Sequence, residues 1–306
     1  MIFFTLKRLL SVLPVAVGVI FIVATMTHLV PGDPVDVILG DYATIEDKNA
    51  LRQKLGLDLP IAQRASQYLI SAFQGDLGTS LVYTRPVTDM IIERLPATAE
   101  LAVLSLLVAI CLAIPLGLIS AVKQNSMIDL TAMSFAISGV AIPNFWLGPM
   151  LVLFFSLHLG WLPVSERAGL LSYILPAITM GTALAASLSR MTRNSVLDIS
   201  QEDFVRTAKA KGCSKSRVLW NHVFRNASLP LVTIVGLQFG VLLTGAVITE
   251  KVFDWPGLGS LLIEAIQNRD YPLLQGCILF FSGSYLLVNF ITDIVYAKID
   301  PRIQLD

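Results

Sequence analysis

Long apolar runs dominate this chain, and polar residues gather between them. Six runs are long enough for a helix to cross a bilayer, which needs about 20 mostly apolar residues. They are Leu9–Val30, Ala97–Val122, Thr131–Leu159, Ser172–Met191, Ser228–Glu250 and Gly276–Ala297. The pattern therefore predicts an all-α membrane protein with six transmembrane helices. Between the first two runs it predicts a helical segment over 31–94. "TIEDKNALRQKLG" reads as a short helix, with Thr44 as cap, Glu46 and Asp47 at its positive end, and Gly56 as its stop. "PIAQRASQYLISAFQG" reads as a second, with Pro60 at its first position, Gly75 past its end, and one apolar stripe from Ile61 through Tyr68 to Phe73.

Composition agrees: 55% of the 306 residues are hydrophobic and 14% charged, against about 25% charged in soluble domains. The net charge is zero, so the placement of charge is what informs. Lys7, Arg8, Lys123, Lys298 and Arg302 fall on one side of the six spans with the basic stretch near 206–225; Arg167, Lys251 and Arg269 fall on the other. The bias of Lys and Arg toward the cytoplasm then puts both termini inside and the 31–94 segment outside. Leu9–Val30 exceeds the usual length of a cleaved signal core and ends without a small-x-small site, so it reads as a retained anchor. Pro14, Pro115, Pro143, Pro149 and Pro176 interrupt the runs, which suits a pathway or moving parts as well as static kinks.

Little of the chemistry-bearing vocabulary is present. Cys111, Cys213 and Cys277 have no metal or redox spacing, and His28, His158 and His222 form no ligand pair. The dipeptide Gly-Lys is absent, so there is no G-x-x-x-x-G-K-[ST] loop for phosphate. An intramembrane enzyme would need a Ser-His pair or two aspartates at matching depth. A secondary transporter would tend to show repeats and buried carboxylates. Both remain distant alternatives. Polar residues at membrane depth are pathway candidates by default. Asn144 after Pro143 and Gln238 in the fifth run are the first choices, ahead of Asn289 and Asp293 in the sixth; Glu100, Glu250 and Asp293 also suit positions near an interface, where they snorkel or pair.

The stretch "DFVRTAKAKGCSKSRVLWNHVFRNASLP", Asp203 to Pro230, is the chemical exception. Ser200 is a candidate cap, Glu202 and Asp203 open a helix, Lys209 and Lys211 close it, and Gly212 ends it. Ser214 can cap a second helix from Lys215 to about Phe224. Phe204, Ala208 and Lys211 share one face of the first helix, Val205 and Ala208 another. A basic loop satisfies the inside rule and attracts anionic lipid. The glycine knuckle and the small residues Ala208 and Ala210 further suit docking on a soluble partner.

"RTAKAKG" followed by "HVFRNASLP" resembles the cytoplasmic loop signature of ABC-importer permeases, in particular the dipeptide/oligopeptide/nickel branch. Arg206 and Thr207 stand where the general signature has Glu and its first Ala, and the gap from Gly212 to Pro230 is longer; both departures are usual in that branch. "PGDP", "KLGLDLP", "GDLGTS", "LPATAEL", "IPNFWLG", "GWLP", "EKVFDWPGLG", "RDYPLLQ" and "DPRI" follow in order, so the resemblance runs nearly end to end. It implies a type I importer permease fold in a bacterial or archaeal cytoplasmic membrane. The first helix would occupy 1–30, an extracytoplasmic segment 31–94, and the five-span domain 95–297, with a coupling loop over 194–227 and a tail over 298–306. It implies that Phe204, Arg206, Ala208, Lys209, Lys211 and Gly212 contact an ATPase, and that ATP is bound by partner subunits, so this chain needs no cofactor of its own. The implied partners are a second, homologous permease, two ATPase subunits, an extracytoplasmic binding protein and membrane lipid, with no nucleic acid. Short peptides, glutathione-like ones included, are the implied cargo, with nickel chelates or other small solutes as the alternative.

Overall fold

The computed structural model describes residues 14, 15, 17–19, 21–23, 35, 39, 40, 43–54, 58–165, 167 and 169–299. Most of the expected first span, the Pro31–Pro34 motif, the Gly56 stop, His28 and the end of the tail lie outside the described residues. The regular structure described is helical: α1 (Ile45–Lys54), α2 (Ile61–Phe73), α3 (Val87–Val122), α4 (Met127–Ala141), α5 (Asn144–Leu151), α6 (Ile174–Ser200), α7 (Asp203–Ala210), α8 (Lys215–Arg217), α9 (Arg225–Gly245), α10 (Val247–Val252), α11 (Leu258–Gln267) and α12 (Tyr271–Ile299). π-helical turns at Val152–His158 and Val218–Phe224 extend α5 and join α8 to α9, and a 3-10 turn, Leu170–Tyr173, leads into α6. Thr79 and Pro86 form an isolated antiparallel bridge.

Four of the described helical stretches are long and apolar enough to cross a membrane: Val87–Val122, Leu170–Ser200, Lys215–Thr244 and Tyr271–Val295. The expected third span is not one helix. It breaks between Ala141 and Asn144, where Ile142 is extended and Pro143 caps α5, and the two arms meet at 96°. Pro143 lacks the N–H a continuous helix would use and pushes the residue before it out of helical geometry. With this bent pair counted as one span, the described residues hold five.

Contacts divide the chain into two units, with the divisions falling within α3, between Trp255 and Pro256, and within α12. The first comprises the described residues up to Thr98 together with Pro256–Leu286. Its α1 starts as the sequence suggests: the Asp47 N–H donates to Thr44 Oγ1 at 3.2 Å. α2 begins one residue after Pro60 and ends before Gly75, whose φ is +83°. The core gathers Val87, Ile91, Leu258, Leu261, Tyr271, Leu273 and Cys277. Beside it, fully buried Asp270 knots two distant loops. Its carboxylate accepts from Ser80 Oγ at 2.5 Å and from the N–H groups of Leu81 (3.2 Å), Val82 (3.3 Å) and Leu273 (3.3 Å). It thereby caps α12 and holds the turn between "GDLGTS" and "RPV".

The second unit holds the described residues from Ala99 to Trp255 and from Leu287 on. In it α3 packs closely on α6. One face of α6 carries Ala177, Gly181, Ala185, Leu188, Thr192 and Val196 at spacings of three and four, all buried. A Cβ on Gly181 would lie 2.7 Å from the Ser105 carbonyl oxygen, and one on Gly117 would lie 2.6 Å from Thr192 Cβ. In lipid, helices gain no hydrophobic drive toward each other, and such close backbone approach supplies the van der Waals contact instead. Thr179, Ser189 and Thr192 donate to carbonyls one turn earlier, so these buried hydroxyls cost no unmet bond.

Two ionic groups tie this unit further. Asp129, buried in the first turn of α4, accepts two bonds from the Arg193 guanidinium at 2.8 and 2.7 Å, one from Ser120 Oγ and one from the Asn125 N–H at 3.0 Å. Glu100 accepts from Arg167 Nη2 at 2.7 and 2.6 Å and from the Tyr173 hydroxyl at 2.6 Å; the Tyr173 ring stands edge-on to Trp255 at 4.7 Å. Glu100 is thus a paired carboxylate, held by Arg167 and Tyr173.

Asp270→Ala removes a buried charged acceptor from one hydroxyl and three backbone donors. We expect a loss of about 3 kcal/mol, on the scale of bonds to charged groups, read as a lower melting temperature of the purified protein. Arg193→Gln strands the Asp129 carboxylate, whereas Arg193→Gln with Asp129→Asn removes both charges. The double variant should melt above the single one, because an unpaired buried charge costs more than a missing pair.

Candidate functional site

The basic stretch folds as a knob anchored from one side. α7 opens after Glu202, which is extended, with Asp203 in the first turn. Ser200 does not cap it. Ser200 ends α6 and donates to the Val196 carbonyl at 2.6 Å; the apolar register of α6 carries that helix past the expected end of the span, leaving only Gln201 and Glu202 between the two helices. Val205 and Ala208, one turn apart, are buried against Leu118 and Ala121 of α3, Val196 of α6, and Val218, Val223 and Ala227. These are the inward residues. Ala208, expected in the docking surface, is turned into this cluster and takes no part in the exposed face.

The remaining expected residues all face outward: Phe204, Arg206, Lys209, Lys211 and Gly212 are exposed. Phe204 leaves 42% of its surface open, an unusual disposition for a phenyl ring on a helix otherwise flanked by charge. The Arg206–Asp203 pair, at 3.4 Å and well exposed, contributes little to stability and leaves the guanidinium available.

"KGCS" encodes both the stop and the restart. The Gly212 N–H donates to the Lys209 carbonyl at 3.0 Å and the Cys213 N–H to the Ala208 carbonyl at 3.2 Å, with Gly212 at φ +79°. This is a Schellman ending, and Cys213 packs on the same cluster as Ala208, the apolar contact that accompanies the motif. Ser214 then accepts from the Arg217 N–H at 3.4 Å. The second helix is not the separate element expected over Lys215 to Phe224. It passes through the π-helical turn Val218–Phe224 into α9 and its internal Pro230, so the knob is mounted directly on a long apolar helix. The turn brings out Trp220, half exposed and edge-on to Phe224 at 5.3 Å. Sequence reasoning misses Trp220; its only signal is a large aromatic inside a basic loop.

Asn144 is the first residue of α5, immediately beyond the break, and Gln238 lies in the second half of α9; each is half buried. Neither side chain has a hydrogen-bond partner among the described residues. Among the described residues no three His, Cys, Asp or Glu side chains could together hold a metal ion.

Comparison with known proteins gives this geometry a family. Residues 113–305 match the binding-protein-dependent transport system inner membrane component family, and residues 1–102 match its N-terminal region. The chain belongs to this family. Similar relatives include the glutathione transport system permease protein GsiC of Escherichia coli K12, 43% identical over 301 residues and 98% of each chain. GsiC of Pectobacterium atrosepticum is 44% identical over 299 residues, again 98% of each. Among solved structures, an inward-facing methionine ABC transporter, MetNI, matches with a TM-score of 0.58 at 16% identity, covering 69% of this chain and 96% of that one. An amino acid ABC transporter matches at 0.52 and 14%, covering 71% and 95%. The fold is thus that of ABC transporter membrane subunits, and the chain is a transport component rather than an enzyme.

A methyl group added at Gly212 would meet open space, but the backbone there is left-handed, so Gly212→Ala brings strain rather than a clash. We expect a penalty of about 1–2 kcal/mol, confined to the knuckle and read as faster amide exchange at residues 212 and 213.

Proposed function

We propose that this chain is the translocating subunit of an ATP-driven importer of short peptides, glutathione-like peptides among them, in a bacterial cytoplasmic membrane. The observation that carries the reading is the α7 knob. Its Val205–Ala208 edge is fixed to three helices, while Phe204, Arg206, Lys209 and Lys211 are presented outward on a rigid ending. A surface of this kind suits a groove on a cytoplasmic ATPase with an apolar floor and acidic walls. The full-length similarity to glutathione permeases supports the cargo class.

In the proposed assembly, a second permease completes the pathway, two ATPase subunits sit under the α7 knobs, and an extracytoplasmic binding protein delivers cargo. ATP closure of the ATPases moves the knobs together and switches the membrane helices between two arrangements, a bistable element biased from outside. In this reading the chain has six spans with both ends cytoplasmic, and α7 faces the ATPase side. Asn144 and Gln238, half buried and without side-chain partners among the described residues, are the polar groups offered to cargo along the way.

The test uses the reconstituted transporter with Phe204→Asp and Lys209→Glu in this chain, which leave Val205 and Ala208 in place. We expect normal insertion, loss of ATPase retention, and a fall of at least about ten-fold in cargo-stimulated hydrolysis, the scale of one lost charged contact with its apolar neighbour. Retained assembly with undiminished stimulation and uptake would reduce the stretch to a topology signal.

A further inference from the structure

Away from the α7 knob, a groove of about 710 Å³ opens where α4 begins beside the end of α6. Its apolar wall is Leu130, Met133 and Ile137, one stripe at spacings of three and four; Leu130 is 61% and Ile137 50% exposed. Its polar end holds Asn125, Asn194 and Arg190. The charges there are not alike. Arg193 is committed to Asp129 through both carboxylate oxygens, and the same carboxylate is further occupied by Ser120 and Asn125. Arg190, one turn earlier on α6, is exposed and has no ion pair or hydrogen bond among the described residues. The groove thus ends in one uncompensated positive charge, with two side-chain amides beside it.

Depth decides what such a groove meets. Leu170 through Ser189 contain no charged residue; about 20 residues at ~1.5 Å each span about 30 Å, the thickness of the hydrocarbon core. Arg190 is the first charge beyond that stretch and so lies at the level of lipid phosphates. Lys123, the first charge after the apolar length of α3, precedes the same turn into α4. The stripe of Leu130, Met133 and Ile137 runs from this level along α4 into the apolar part of its span.

We propose that this groove binds one phospholipid with an anionic headgroup. The phosphate pairs with the Arg190 fork, the amides of Asn125 and Asn194 donate to its remaining oxygens, and an acyl chain lies along Leu130, Met133 and Ile137. Charge complementarity selects this occupant over a zwitterionic lipid, whose own cation would face Arg190. A free phosphate would leave the apolar wall uncovered. The site holds α4 against the end of α6 by a ligand, next to the Asp129–Arg193 pair that does so by charge. The proposal depends on the membrane-spanning helices alone, and neither cargo nor ATPase docking enters it.

The test is native mass spectrometry of the assembled transporter, stripped of lipid and titrated with phosphatidylglycerol or phosphatidylcholine. Wild type should retain one saturable phosphatidylglycerol per copy of this chain and hold phosphatidylcholine at least about ten-fold more weakly. Arg190→Gln should lose about ten-fold in phosphatidylglycerol retention, the scale of one charge-assisted bond, with phosphatidylcholine unchanged. Arg190→Lys should keep most of the preference, and Met133→Trp, which fills the groove, should weaken both lipids. Equal retention of the two lipids by wild type, or undiminished phosphatidylglycerol on Arg190→Gln, overturns the site. So does cross-linking of Asn194→Cys to a neighbouring subunit with no lipid retained, which would mark the groove as a protein interface. If Arg190→Gln fails to assemble, the wild-type lipid ratio and Met133→Trp decide the question alone.

Discussion

Close approach between α3 and α6 is the constraint from which the second unit follows. A bilayer offers these helices no hydrophobic reason to associate, so contact has to come from backbones brought near and from a few polar groups that must be paired. Gly181 against the Ser105 carbonyl and Gly117 against Thr192 set that approach at two points, about three turns apart along α6. Asp129 on α4 meets Arg193, and α4 is thereby tied to the C-terminal end of α6. The same pair of helix ends, through Leu118, Ala121 and Val196, forms the floor on which α7 rests. A larger residue at either glycine would therefore be felt at the ion pair and at the α7 knob.

The sequence makes the helices legible and hides most of what locks them. Local signals work where the physics is local. Thr44 caps α1, Gly212 and Ser214 stop and restart the chain, and the long apolar runs reappear as long helices. The third run misleads because its apolar content is continuous while its backbone is not. Composition favours a span, and only Pro143 in "AIPNFW" marks the break. The π-helical turn at Val218–Phe224 has no periodic signature, which is why a second loop helix and a separate fifth span are expected where one continuous helix stands. Ser200 reads as a cap because capping residues also end helices. The polar locks are invisible for a simpler reason. Asp270 meets Ser80 and Asp129 meets Arg193 across long stretches of chain, and a single sequence carries no record of such pairs.

At the proposed coupling site the residue types are readable but their sides are not. Phe204, Arg206, Lys209 and Lys211 face outward as the basic flank implies. Ala208 counts with them in the sequence because a small residue suits close docking on a partner. Here the close approach it permits is internal, to α3 and to the helix that follows. The distinction turns on one helical step of about 100°, which hydrophobicity alone does not resolve when the candidate residue is an alanine.

This inward edge also bears on how a push on α7 would travel. Val205 and Ala208 share a single cluster with the end of α3, the end of α6 and the turn leading into α9. Packed side chains have little room to yield, so displacing α7 as a body moves all three helix ends or opens a void among them. The flexible alternatives are few: Gln201 and Glu202 before α7, and the knuckle at Gly212 after it. The knuckle is pinned by two backbone bonds and by Cys213 packing on the same cluster. The π-helical turn differs in hydrogen-bonding register from the α-helix on either side, and such turns recur at functional sites. In the proposed importer, motion imposed at Phe204 and Lys209 would then reach the ends of α3 and α6 and the turn into α9 together, through this one cluster.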